Sequence, residues 1–299
     1  MANTGEHLMQ LRTVLEKAQQ KLSVSWEVME QDYVLSWVLF GMASVEEIRS
    51  NLVFKGGTAL KKCYFGDYRF SQDLDFSSLK GAPEGDHLEK LLMKACDYAQ
   101  KELYNRIPNP VLTCSRYTEK KPHPHGQEAF VIRAQLPWHR TPYVRVMVEV
   151  TRNERLVNTP VLKDIIHGYP EDFRCQILTY TIEEIFSEKL LAILQNIKKI
   201  HEREWSRSRA RDYYDVWRML HNFRNELNAK TILEALSLKC ESKGVSYQSI
   251  DSFFDTKALE AVQRDWNQWL SPMISPLPPY EKVIAECQQE LKAFLNKSL

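Results

Sequence analysis

The sequence predicts an α+β fold, a mixed sheet with helices followed by a mainly helical C-terminal domain. Three observations predict it. Up to about residue 160, short runs with a two-residue apolar period alternate with longer runs of helical period. Beyond about residue 180 the pattern is almost wholly helical. Between the two regions lie Asn158, Pro160, Gly168 and Pro170, a cluster of helix and strand breakers. The expected division is residues 1–170, a sheet domain with N-terminal helices, and residues 171–299, a helical domain.

Residues 7–47 read as helices: Leu8, Leu11, Val14, Leu15 and Ala18 recur near helical spacing, and the apolar run Tyr33 to Met42 follows. Asn51 to Phe54 reads as a short strand that ends at a Gly-Gly turn, after which Ala59 to Tyr64 restarts a helix. Phe70 to Phe76 is a second expected strand, and Leu88 to Tyr104 a helix broken by Asn105 to Pro110. Strand-like segments follow at 111–117, 128–136 and 143–151. The Pro-rich link Ser271 to Pro279 introduces a last helix from Tyr280 to Leu295.

With 299 residues and 43% hydrophobic content, the chain can bury a sizeable core without disulfide or metal staples. Its six cysteines form no CxxC pair, so they read as reduced packing residues. No uncharged apolar stretch reaches the ~18 residues of a membrane span. The opening MANTGEHLMQ lacks the order of a secretory signal, and the expectation is a soluble, cytoplasmic protein. A net charge of +1 excludes a globally basic nucleic-acid binder but permits a local patch. The densest basic run is Lys198, Lys199, Arg203, Arg207, Arg209 and Arg211 against Glu202 and Glu204, which is either a solvated helix face or a phosphate-contacting surface.

In Arg69 to Phe76 the strand period puts Phe70, Leu74 and Phe76 on one face and Arg69, Ser71, Asp73 and Asp75 on the other. Side chains two apart on a strand start roughly 6.5–7 Å from each other, so Asp73 and Asp75 can reach one or two shared divalent ions. An isolated DxD is otherwise an ordinary polar strand face. In Val144 to Val150 the valines fall on one face and Arg145, Met147 and Glu149 on the other, which offers a third carboxylate, although a lone Glu on an exposed strand face is commonplace. Three carboxylates suit Mg²⁺, a hard cation often shared between protein acids and substrate phosphates.

Val53 to Leu60 reads as strand, two-glycine turn and helix start. Glycines allow close backbone approach, and the N–H groups of the new helix, with the Thr58 hydroxyl, can hold a phosphate. The alternative is a plain tight turn, since no Walker A ending is present. Gly57 precedes Asp73 by sixteen residues.

That order of glycine turn, DxD strand and later strand acid resembles the DNA polymerase β-like nucleotidyltransferase superfamily. The string FKGGTALKKCYFGDYRFSQDLDF is similar to its AbiEii/AbiGii toxin branch, which includes the MenT-type toxins and couples a GGTAL turn to RxSxDxD. YTIEEIFSEKLLAI, RARDYYDVW and DWNQWLSPMISPLPPYEKV extend the resemblance over most of residues 30–290.

In Thr181 to Lys199, Thr181 and Glu184 form a capping-box start, and Lys189 falls within the apolar stripe Ile182, Ile185, Phe186, Leu190, Ile193, Leu194 and Ile197. Such a lysine either snorkels to water or meets an anion. Downstream, Asp212 and Asp215 share a helical face and need a partner, Lys189 or an arginine being the ordinary one. Tyr213 and Tyr214 are core aromatics or base-stacking groups. His123 and His125 lie in a Lys-Pro-His-Pro-His-Gly loop without further metal ligands nearby.

The resemblance implies a nucleotidyltransferase-fold sheet and transfer of an NMP from an NTP, with Mg²⁺ or Mn²⁺, to an acceptor hydroxyl. It implies Gly56, Gly57, Thr58 and Ser71 as phosphate-binding residues, Asp73, Asp75 and Glu149 as metal ligands, Lys189 on the triphosphate, and Asp212 in the active site. The helical domain would complete the nucleotide and acceptor cleft. It further implies a phage-defence toxin acting on tRNA at its 3′ end, with a separate antitoxin as partner. The rival readings are a small-molecule or protein nucleotidyltransferase, and a non-catalytic nucleotide- or RNA-binding module of the same fold.

Overall fold

The burial of Trp26–Ser44 follows from its composition: it is apolar around most of its circumference, and a helix of that kind belongs inside. In the computed structural model, which describes residues 4–117, 127–171, 174–203 and 208–295 and side chains from residue 11 onward, this helix (α2) packs on α5 (Gly85–Tyr104) and on a sheet strand. Ser25 caps it, its hydroxyl accepting from the Val28 N–H at 3.4 Å. Before it comes α1 (Thr4–Leu22), and after it the short α3 (Glu46–Asn51).

The chain divides into two compact units, one of residues 1–154 and 160–179 and one of residues 155–159 and 180–299. Residues 171–179, which the sequence reading placed in the helical half, lie with the first unit.

The first unit holds a seven-stranded mixed sheet in the order β3-β4-β5-β2-β1-β7-β6. Its strands are β1 (Leu52–Lys55), β2 (Asp73–Ser78), β3 (Val111–Tyr117), β4 (Glu128–Gln135), β5 (Val144–Thr151), β6 (Val161–Asp164) and β7 (Gln176–Thr179). β2 runs antiparallel to β1 and parallel to β5. Phe54, Leu74, Phe76, Phe130, Val146, Val148 and Val150 are fully buried in the sheet. The expected strand at 70–76 begins later, at Asp73, with residues 69–72 outside the ladder. β6 and β7 fall where the sequence suggested only a boundary, and β7 joins β1 in parallel through Phe54 and Thr179.

After β1 the chain enters α4 (Gly56–Ala59) and then a π-helical turn over Leu60–Phe65. The wider turn buries two successive lysines. Lys62 donates to Asp32 Oδ2 at 2.8 Å and Ser36 Oγ at 2.9 Å, and Lys61 lies over the Phe70 ring at 4.1 Å. Tyr169 also donates to Asp32 Oδ2, at 2.8 Å.

The second unit is helical: α6 (Ile182–Arg203), α7 (Ala210–Phe223), α8 (Ala229–Lys243), a 3₁₀ turn at Ile250–Phe253, α9 (Thr256–Leu270) and α10 (Tyr280–Leu295). Asn228 and Asp255 cap α8 and α9 through their side chains. Thr181 accepts from the Glu184 N–H at 3.2 Å, as a capping start requires. The Glu184 carboxylate serves elsewhere: it accepts from Val157 N and Asn158 N and pairs with Lys239 at 2.7 Å, binding residues 155–159 to this unit. The six cysteines are free thiols, four of them buried. No helix among the described residues is long and apolar enough to cross a membrane.

Candidate active site

β2 alternates Leu74 and Phe76 into the core with Asp73 and Asp75 on its other face, Asp73 exposed and Asp75 half-buried. Its neighbours decide what the two acids meet. Asp75 lies opposite Glu149 of β5 on one side and opposite Lys55 of β1 on the other. The three expected acids therefore gather on adjacent strands, with Asp75 and Glu149 in direct register. Gln31 of α2 fixes the start of both strands, its amide donating to Gln72 O at 3.2 Å and Arg145 O at 2.8 Å.

The glycine turn closes against the same acids. Gly56 has φ +78, and a Cβ on it would stand 2.5 Å from Asp75 Oδ2. A Cβ on Gly57 would stand 2.5 Å from Arg69 Nη2. Only glycine lets the turn lie this near the carboxylate and the buried guanidinium. Arg69 is 2% exposed and donates to Phe70 O at 3.2 Å. The Thr58 hydroxyl, expected on a phosphate, donates to Asp73 O at 2.6 Å, so it ties the turn to the strand. Ser71 is half-buried in the segment between Arg69 and Asp73.

Other polar groups join this face. Lys55 pairs with Glu154, whose Oε2 also accepts from Ser77 Oγ at 2.6 Å. Gln127 donates to Glu149 Oε2 at 2.5 Å. Among the described residues no group of three or more His, Cys, Asp or Glu side chains is already placed to hold a metal ion together. The donor set suits Mg²⁺ nonetheless, because that ion keeps several waters and takes one or two carboxylates beside substrate phosphates. Asp73, Asp75 and Glu149 are the candidates to hold it.

Within the second unit, Lys189 of α6 bridges Asp212 Oδ1 and Asp215 Oδ2 of α7, each at 2.8 Å. The ion pair offered as the ordinary explanation of this lysine is thus present, and the side chain is 13% exposed. Arg209 adds a contact to Asp212 Oδ2 at 3.3 Å. Burial pushes the Asp212 carboxyl up, but Lys189 and Arg209 outweigh it and hold the group below its ordinary 3.8. Tyr213 and Tyr214 are each 1% exposed, and Tyr213 donates to Phe253 O at 2.5 Å. They are core residues, closed to a stacking base.

In the basic run, Lys198 donates to Gly244 O at 2.8 Å and Arg211 lies over the Trp269 ring at 5.0 Å. Arg207 of that run, and His123 and His125, lie outside the described residues.

Sequence reasoning named the acids, the glycines and Lys189. It missed Gln31 and Gln127 as supports, because neither stands out by period or spacing, and it placed Arg69 on the polar strand face and in the RxSxDxD motif without giving it a role. Asp215 was legible as a partner through its spacing from Asp212 but was not counted as a site residue.

The family model described as nucleotidyl transferase AbiEii toxin, type IV toxin–antitoxin system, matches residues 37–296. The chain belongs to the AbiEii nucleotidyltransferase toxin family. Among solved structures, it is similar to the MenT4 nucleotidyltransferase toxin of Mycobacterium tuberculosis H37Rv, at 18% identity and TM-score 0.65, over 96% of this chain and 90% of that one. That likeness concerns the fold: the mixed sheet and helical C-terminal region of this AbiEii chain form a nucleotidyltransferase fold. Comparison with curated proteins gives no match. An AbiEii toxin is a nucleotidyltransferase of a toxin–antitoxin system, which implies an NTP substrate and an antitoxin partner.

Proposed function

We propose that this AbiEii chain is a Mg²⁺- or Mn²⁺-dependent enzyme that transfers a nucleoside monophosphate from an NTP to an acceptor hydroxyl and releases pyrophosphate. The observation that carries the reading is the register of Asp75 against Glu149, with Asp73 on the same strand and the Gly56 turn closed onto Asp75.

The backbone N–H groups of Gly56 and Gly57 and the Ser71 hydroxyl bind phosphate oxygens, while Thr58 acts by holding the turn to Asp73. Asp73, Asp75 and Glu149 hold the divalent ion. When bound, such an ion neutralises phosphate charge and makes the attacking hydroxyl easier to deprotonate. The family resemblance is the support for assigning Lys189 to the triphosphate and Asp212, or one of the metal-binding acids, to the acceptor's proton; within its own unit Lys189 pairs with Asp212 and Asp215. Rate enhancement of this kind rests on positioning and charge neutralisation.

The acceptor is proposed to be the 3′ end of tRNA, the setting a cytoplasmic toxin of phage defence, and the partner a cognate antitoxin. The family assignment supports the toxin role, and the basic residues Lys198, Lys199, Arg203, Arg209 and Arg211 are compatible with RNA. Incubating the protein and Mg²⁺ with total RNA, protein extract and small-molecule hydroxyl acceptors, each with the four α-³²P NTPs in turn, tests the reading. Label on tRNA that disappears with Asp73→Ala is the expected result. Label on protein or a small molecule would move the acceptor, and NTP turnover unchanged by Asp73→Ala would overturn the mechanism.

A further inference from the structure

We propose that Gln127 is a positioning residue that sets the Glu149 carboxylate for the divalent ion, which rests on the reading of Asp73, Asp75 and Glu149 as its ligands. Glu149 has a strand neighbour on each side. On β2 it faces Asp75, and on β4 it faces Ala129. Ala129 carries only a methyl group, so nothing on that residue itself holds the acid. Gln127, two residues before Ala129, reaches across and donates to Glu149 Oε2 at 2.5 Å.

The chemistry of the donor matters. Two carboxylates in register on adjacent strands repel each other, and a hydrogen bond to one of them opposes its turning away. The neutral amide of Gln127 orients one carboxylate oxygen through a charge-assisted hydrogen bond and adds no charge of its own. Groups that orient metal-binding side chains in this way typically contribute 10–100-fold to metal affinity or activity. Gln127 thus holds Glu149 beside Asp75 before the ion binds.

The test is Mn²⁺ binding to the full-length protein, followed by calorimetry or the Mn²⁺ electron paramagnetic resonance signal without NTP, for wild type, Gln127→Leu, Gln127→Lys, Glu149→Gln, Asp75→Asn and the double variant Gln127→Leu/Glu149→Gln. Gln127→Leu is expected to weaken binding about tenfold. Gln127→Lys, which keeps a donor but adds positive charge, is expected to weaken it further. The double variant should bind no more weakly than Glu149→Gln alone, because Gln127 acts only through Glu149. Unchanged thermal unfolding of Gln127→Leu, together with raised half-saturating Mg²⁺ in NTP turnover, separates this role from a loss of fold.

Loss of Mn²⁺ affinity in Glu149→Gln but not in Gln127→Leu would overturn the role of Gln127 and leave the metal reading intact. An effect of Asp75→Asn without one of Glu149→Gln would overturn it as well, by removing Glu149 from the ligand set. Wild-type affinity in both Asp75→Asn and Glu149→Gln would sink the metal reading itself. Additive losses in the double variant would show that Gln127 acts on something other than Glu149.

Discussion

Replacing Gly56 by alanine puts two separable strains into the turn. Gly56 sits at φ +78, a conformation that costs an L-residue about 1–2 kcal/mol. The added Cβ would also stand 2.5 Å from Asp75 Oδ2, closer than real contacts allow. Asp75 must then turn off its preferred rotamer, at a cost of about 0.5–1.5 kcal/mol, or the turn must retreat. The sum is about 1.5–3.5 kcal/mol, and at roughly 2–4 °C per kcal/mol the melting temperature should fall by about 3–14 °C. Catalysis should suffer more, since moving a reacting group by about 1 Å can cost on the order of 100-fold. Gly81 supplies the control. It has φ +82 but nothing within 4 Å of the site of its Cβ, so Gly81→Ala introduces the backbone strain without the collision. Thermal unfolding and NTP turnover at saturating Mg²⁺ should therefore show similar backbone penalties in both variants and a turnover loss of about 100-fold in Gly56→Ala alone. Equal turnover in the two variants would refute the claim that the turn and Asp75 are held in contact for catalysis.

Two further predictions concern buried charge in the first unit. Lys62→Met leaves Asp32 without its paired cation at a site where the paired side chains are 2% and 5% exposed, and should cost about 3–5 kcal/mol in urea unfolding, whereas Lys62→Met/Asp32→Asn should cost clearly less; equal losses would mean that the unpaired Asp32 charge is not the source of the cost. Burial pushes the His167 imidazole below its ordinary 6.5, against a smaller opposing pull from Glu171. The unfolded chain therefore binds the proton more readily, so this stability is present above pH 6.5 and is lost as pH falls below it, with a slope of at most about 1.4 kcal/mol per pH unit. His167→Gln should flatten the dependence of unfolding free energy on pH below about 6.5, and an unchanged slope would assign that dependence to other groups.

How much of the fold could be read in advance follows the reach of each signal. β3, β4 and β5 and the helices at 85–104 and 280–295 are long and strongly periodic, and the expected and observed ranges nearly coincide. β6 and β7 have four residues each and lie among prolines and glycines, so their local signal is that of a loop. What makes β7 a strand is its parallel pairing with β1, more than a hundred residues earlier in the chain. The late start of β2 has a similar cause. Arg69 and Phe70 continue the alternation in sequence, but Arg69 is drawn under the Gly57 turn and the ladder begins only at Asp73. Tyr213 and Tyr214 illustrate the opposite limit, since an aromatic pair on a helix looks the same in sequence whether it packs in the core or waits for a base.

The candidate site divides in the same way. Residue type and local period disclosed the acids of β2, the acid of β5, the two glycines and a lysine misplaced on an apolar stripe. They did not disclose adjacency. Asp75 and Glu149 are neighbours because β2 pairs in parallel with β5, across the long connection that holds α5 and the β3–β4 hairpin. A parallel pair cannot be inferred from either strand alone, because each shows only which of its own faces is polar. Register puts Asp75 beside Glu149, with Asp73 two residues along the same strand, and brings in groups with no motif of their own: Gln31 at the strand starts, Glu154 beside Lys55, and Gln127 on Glu149. A motif search finds the groups proposed to touch nucleotide or metal. The groups that hold them in place become visible only once the strands are paired, which is why variants of those supports test the site independently of variants of the motif.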